Sequence, residues 1–184
     1  MDRAQDSGSC GWRFESSQVR KWACGGRSRT IRFPQGALNC MKFEFSAGGI
    51  VYKKGKGKLF ILVSQHSQHH GWVFPKGLIG DKKNGEKKEE TALREVKEET
   101  GAKGKIIKTL EPVTYWYVWK GEKIKKTVYY FIMEYVEGDI TDHDFEMENV
   151  KWVEEDKVLE TLTYKGDKEV FKLAQPHLKE LAKS

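Results

Sequence analysis

Glu95, Glu98 and Glu99 stand at i, i+3 and i+4 in the segment Arg94-Glu95-Val96-Lys97-Glu98-Glu99-Thr100-Gly101. On a helix of 3.6 residues per turn that spacing brings three carboxylates to one face, where like charges repel. Gly101 reads as the residue just past the helix end, so the cluster also lies near the negative end of the helix dipole. Both effects are destabilising, and a bound divalent cation removes both. An all-oxygen donor set selects Mg2+ or Mn2+ over zinc. The alternative is a solvated acidic face on a Lys/Glu-rich helix, in a chain that is 33% charged.

The surroundings favour the first reading. Gly80 is followed after five residues by Glu86 and, after seven more, by Arg94-Glu95-Val96-x-Glu98-Glu99-x-Gly101-Ala102, with Trp72-Val73-Phe74-Pro75-Lys76-Gly77 upstream. This resembles the Nudix box, Gly-x5-Glu-x7-Arg-Glu-U-x-Glu-Glu-x-Gly-U with U apolar, and every fixed position is filled. In relatives with Phe-Pro-Lys-Gly, that motif's own glycine opens the box. Here Gly77 precedes Glu86 by nine positions and Gly80 restores the usual offset, so the spacing reads as a three-residue insertion around Leu78 to Lys83. Either Gly77 or Gly80 could turn its carbonyl to a metal.

The resemblance implies a hydrolase that cleaves a nucleoside diphosphate linked to another group. Water attack on a phosphorus flanked by anionic oxygens needs charge neutralisation, an activated nucleophile and a stabilised leaving phosphate. It also implies that Glu98 and Glu99 are metal ligands, that Glu95 is a ligand or the base orienting water, and that Arg94 and Glu86 hold the box in shape. Arginine's planar fork suits that bidentate role better than a lysine does. A further ligand or base comes from Asp144-Phe145-Glu146-Met147-Glu148, where Glu146 falls at the matching offset. The aromatic positions resemble asymmetric diadenosine tetraphosphate hydrolases, which carry a tyrosine where Tyr117 stands, sixteen residues past Gly101. On that resemblance Tyr130 and Tyr164 sandwich a base, and Lys76 and Lys126 contact phosphates. Core packing is the alternative for each of these rings. The related activities are removal of pyrophosphate from an RNA 5′ end, hydrolysis of oxidised nucleotides and cleavage of diphosphoinositol polyphosphates. A nucleotide- or RNA-binding module that keeps the fold without catalysis is the non-enzymatic alternative.

The elements that must position these residues follow from periodicity. Strands are predicted over Phe43 to Lys54 and Lys58 to Gln65, joined by a Gly55-Lys56-Gly57 turn. A long loop covers 66–85 and holds three of the five histidines; with no acidic or thiol partners nearby they read as loop residues, one of them edging the substrate pocket, rather than as a zinc site. The box helix runs from Lys87 to Thr100 with Ala92, Leu93 and Val96 toward the core. Strands follow over Lys105 to Leu110, Val113 to Lys120, Lys125 to Tyr135 and Val150 to Val153. Helices cover Glu155 to Leu162 and Asp167 to Lys183, the second interrupted or bent at Pro176. The expected fold is the Nudix α/β/α sandwich, a mixed sheet between helices.

Composition divides the chain near residue 40. Residues 1–40 hold six arginines, one lysine and all three cysteines, Cys10, Cys24 and Cys40; residues 41–184 hold 25 lysines and a single arginine, Arg94. Seven basic against three acidic residues give the first part +4, and 26 against 24 give the second +2. Residues 1–40 read as an extension with little fixed structure, dispensable or mis-assigned, and 41–184 as the Nudix domain. An odd set of cysteines without a Cys-x-x-Cys pair favours free thiols. No apolar run reaches the ~18 residues of a membrane span and no signal-peptide core stands at the N-terminus. The expectation is a cytoplasmic protein, monomer or homodimer, acting on a small nucleotide or an RNA 5′ end and making no membrane contact.

Overall fold

The computed structural model describes residues 11–16, 19–24, 27–32 and 41–183, with side chains described from Met41 to Ala182. The chain divides into two compact units, Met1–Cys40 and Met41–Ser184. In the first, where little fixed structure is expected, β1 (Gly11–Ser16), β2 (Val19–Cys24) and β3 (Arg27–Arg32) form an antiparallel three-stranded meander. Cys10 and Cys40, expected as free thiols, lie outside the described residues.

The second unit is built on one mixed sheet. Its strands are β4 (Lys42–Gly55), β5 (Lys58–His66), β6 (Trp72–Val73), β7 (Lys76–Leu78), β8 (Ala102–Thr109), β9 (Val113–Trp119), β10 (Glu122–Gly138) and β11 (Met147–Glu154). The order is β11-β5-β4-β10-β8, with β6 on β5, β7 on β4 and β9 on β10. β4 and β10 run parallel from Lys42 opposite Ile124 to Tyr52 opposite Glu134, and the other pairs are antiparallel. The two-residue turns Lys56-Gly57 and Lys120-Gly121 have positive φ at both positions, the backbone that matches hairpin twist.

Helix α1 (Lys88–Thr100) covers one face and α3 (Lys165–Lys183) the other, with a 3-10 turn (Glu155–Lys157) and the short α2 (Val158–Thr161) beside α3. Ala92 and Val96 pack on Ala47, Val51, Leu62, Phe131 and Met133. Val170, Phe171, Ala174 and Leu178 pack on Ile50, Ile61, Tyr130 and Ile132. This is the expected α/β/α sandwich.

Several local expectations change. Leu93 is 38% exposed, whereas Ala92 and Val96 supply the apolar contacts of α1 with the sheet. The stretch 66–85 is not all loop: β6 and β7, of two and three residues, wedge between β4 and β5 and are too short to show any alternation. Helix α3 starts at Lys165 and passes through Pro176 without interruption. β8, β10 and β11 extend beyond the apolar runs that mark them in the sequence.

Candidate active site

α1 ends at Gly101, whose φ of 68° is left-handed and whose N–H bonds the Lys97 carbonyl. A Cβ there would strike the Asp139 carbonyl, so both conformation and space require glycine. The last two turns therefore end at a fixed point, and from them Glu95 and Glu99 reach Gly77 and Lys76 of β7.

Arg94 joins four carboxylates. Its Nε donates to Glu86 Oε1 at 2.9 Å and its Nη2 to Glu86 Oε2 at 3.0 Å. Nη1 donates to Glu95 Oε1 at 2.6 Å and to Glu98 Oε2 at 3.0 Å, and Nη2 also reaches Asp81 Oδ1 at 2.8 Å. The guanidinium, 18% exposed, holds the Glu86 carboxyl down to about 2, helped by the Thr91 hydroxyl and the Gly80 backbone. The pairing in turn raises the pKa of Arg94.

The three box carboxylates differ in surroundings. Glu95 is buried, and desolvation raises its pKa against the opposing pull of Arg94. Its carboxyl lies on Gly77, where any Cβ would overlap it, whereas a Cβ on Gly80 would meet only the Lys83 carbonyl oxygen at 3.9 Å, an ordinary contact. Gly77 therefore lies against the carboxylates, and Gly80, with φ of 82°, turns the chain toward Glu86. Glu99 is buried as well and accepts the Lys76 backbone N–H at 3.3 Å. Desolvation pushes its pKa up to about 8, although the Lys76 charge opposes this. Glu98 is the most open of the three at 34% exposed, and Lys82 Nζ lies 3.6 Å away.

Glu95 and Glu99 are buried carboxylates whose pKa burial raises, and such all-oxygen donors fit a hard divalent cation. The expected metal cradle of Glu95, Glu98 and Glu99 meets one further feature of the arrangement. Among the described residues no three His, Cys, Asp or Glu side chains are already gathered as a metal-ligand group, and Arg94 itself supplies positive charge to Glu95 and Glu98.

Glu146 is exposed, and no hydrogen bond or ion pair joins its side chain to the box among the described residues. Its N–H donates to Asp144 Oδ1 at 3.0 Å. Asp144 is the acidic neighbour of the box from this loop: its N–H bonds the Glu98 carbonyl at 2.9 Å and its charge helps raise the pKa of Glu99. Sequence offset alone favoured Glu146. The contact of Asp144 with the helix end spans 46 positions and leaves no mark in local spacing.

Beyond Lys76 opens a cavity of about 520 Å3, lined by Val73, Val113, Tyr115, Tyr130, Tyr164 and Asp167 among others. Lys76 belongs to both places, its N–H on Glu99 and its side chain in the cavity wall. Tyr130 is buried in the core edge-on to Phe74 and donates its hydroxyl to Asp167 Oδ1 at 3.3 Å. It closes the cavity floor, and Tyr164 is half exposed at the rim with its hydroxyl 2.8 Å from His69 Nδ1. Asp167, buried at the first turn of α3, has no sequence signal beyond its helix position. Lys126 and Tyr117 lie farther along the sheet. Tyr117 donates to Glu44 Oε2 at 2.7 Å, and burial together with that carboxylate raises its pKa to about 12. Burial and the Lys76 charge lower the pKa of Lys126.

A family model described as NUDIX domain matches residues 42–174. A Mycobacterium tuberculosis protein that carries the mutator name MutT4 is 34% identical over 160 residues, covering 83% of this chain and 63% of its own length. The chain thus spans less than two thirds of that curated relative. Among solved structures, a C. elegans Ap4A hydrolase in a binary complex superposes with a TM-score of 0.57 at 24% identity, over 74% of this chain and 98% of the other. The NUDIX domain of Shewanella oneidensis NrtR, complexed with ADP ribose, superposes with 0.60 at 21% identity, over 79% and 94%. At these identities the two structures speak for the fold alone. No described helix is long and apolar enough to cross a membrane.

Proposed function

The chain belongs to the Nudix family of pyrophosphate-bond hydrolases, and on that premise we propose that it hydrolyses a dinucleoside polyphosphate, diadenosine tetraphosphate first among the substrates to test. The observation that carries this is the double placement of Lys76. A nucleobase in the cavity between Tyr130 and Tyr164 would direct its phosphates past the Lys76 amine, toward the carboxylate that the same residue's N–H holds.

Glu95, Glu98 and Glu99, with the Gly77 carbonyl, would hold Mg2+ or Mn2+, which when bound supplies charge neutralisation and an activated water at the scissile phosphorus. The protein's own contributions are positional. Arg94 and Glu86 lock loop and helix together, so that Glu95 and Glu98 are aimed before substrate arrives. Gly77 admits the Glu95 carboxyl beside the backbone. Asp167 and the tyrosine rings line a part-apolar hollow that excludes water from the base, and Lys76 and Lys126 face the anionic linker. Asp144 supplies the further carboxylate near Glu99, with Glu146 beside it on the open side.

A Mg2+-dependent assay on diadenosine tetraphosphate, triphosphate-ended RNA, oxidised dGTP and a diphosphoinositol polyphosphate tests the reading. The expected result is highest kcat/KM on the dinucleotide, abolished in Glu98→Gln with the thermal transition unchanged. Faster turnover of the RNA would overturn the substrate assignment, and an active Glu98→Gln enzyme would overturn the role of the box.

A further inference from the structure

Tyr115, Tyr117 and Trp119 are alternate residues of β9 and so stand on one side of the sheet. Lys126 lies opposite Tyr115 and Ile124 opposite Tyr117 on β10, and Glu44 lies opposite Lys126 on β4. Lys42, Glu44, Tyr115, Tyr117, Trp119 and Lys126 wall a second hollow of about 470 Å3. Tyr115 lines this hollow and the 520 Å3 cavity alike.

The second hollow is open to solvent rather than filled by packing. Trp119 is 62% exposed. The Tyr115 and Tyr117 ring centres lie 6.4 Å apart. The single carboxylate, Glu44, is already held by the Tyr117 hydroxyl at 2.7 Å and by Lys42 at 3.0 Å, while Lys126 lies 4.0 Å from it and is only 19% exposed. Lys126 is thus a mostly buried cation with a loose partner, close enough to Lys76 to feel its charge. Ile124, which pairs with Tyr117, is six residues from Tyr130, or ~20 Å at the rise of a strand. One nucleoside cannot fill both hollows, whereas two nucleosides joined by a polyphosphate can.

We propose that Tyr117 and Trp119 form a second base-stacking subsite, which takes the distal nucleoside of a dinucleoside polyphosphate whose linker crosses Lys76 and Lys126. The inference rests on the dinucleotide reading above and assigns the part of the ligand that reading leaves unplaced. Stacking of a base on an aromatic side chain is sequence-tolerant, so the subsite selects for a second base rather than for a particular one.

The test is calorimetric titration of the full chain and of Trp119→Ala with methylene-bridged, non-hydrolysable diadenosine tetraphosphate and, separately, a methylene-bridged ATP analogue. Trp119 is exposed, so the variant folds. The expected result is Kd for the dinucleotide raised roughly 5- to 30-fold with Kd for the ATP analogue unchanged within about twofold. Equal weakening of both ligands, or of neither, overturns the second subsite. Failure of the dinucleotide reading has a different signature: wild-type protein that does not turn over diadenosine tetraphosphate, whatever the titrations give.

Discussion

Arg94 and Glu86, eight positions apart, meet through two parallel hydrogen bonds, Nε to Oε1 at 2.9 Å and Nη2 to Oε2 at 3.0 Å. The pair joins the inserted loop to the box helix, and the remaining donors of the same guanidinium serve Asp81, Glu95 and Glu98. A lysine offers one point charge in place of this planar fork. Arg94→Lys is expected to lower stability by about 2–4 kcal/mol, since carboxylates at a part-buried site lose their partner. Thermal denaturation measures it, and a change below ~0.5 kcal/mol would show that charge alone suffices.

Glu86 gives the pair a pH signature. Its folded pKa of about 2 lies below the ordinary 4.5, so its ionisation stabilises the fold above pH 4.5, and the contribution is lost as pH falls from there toward 2. Wild type is expected to lose on the order of 1–2 kcal/mol more than Glu86→Gln over that window. Parallel acid titrations of the two proteins would disprove the assignment.

Glu99 has the opposite sign. Burial raises its pKa to about 8 from 4.5, so keeping it in the fold becomes progressively costlier as pH rises through that interval. Without divalent metal, Glu99→Gln is expected to be more stable than wild type at pH 7 by about 1–3 kcal/mol. Added Mg2+ should then raise the Tm of wild type and leave that of the variant unmoved.

Gly77 and Gly80 separate by what a methyl group meets. Gly77→Ala places it in the Glu95 carboxyl, and the expected outcome is a kcat loss of 100-fold or more as that carboxylate is displaced. Gly80→Ala makes only an ordinary contact with the Lys83 carbonyl but keeps a φ of 82°, so about 1 kcal/mol of stability is lost with activity largely retained. Steady-state kinetics beside thermal melts distinguish the two, and equal kcat losses would remove the distinction.

Asp144 and Glu146 make a second pair of contrasts. Asp144 is electrostatically coupled to Glu99, and Asp144→Asn is expected to reduce kcat at least tenfold more than Glu146→Gln. The reverse order in measured kcat would return the role to the residue at the family's offset.

Local spacing alone determined the box helix, its carboxylate face, the glycine that ends it and most of the strands, because periods of 3.6 and 2 residues are written in neighbouring positions. Contacts made across the chain could be decided only by tertiary structure. Arg94 collects Asp81 from the inserted loop, Gly77 rather than Gly80 lies against Glu95, and Asp144 rather than Glu146 bonds the helix end. The tyrosines divide the same way. Alternation places Tyr115, Tyr117 and Trp119 on one side of β9, but only the packing of α3 over the sheet shows Tyr130 as a buried floor anchored to Asp167 and Tyr164 as an open rim. Burial and long-range pairing depend on which elements the fold brings together, and no window of sequence holds that information.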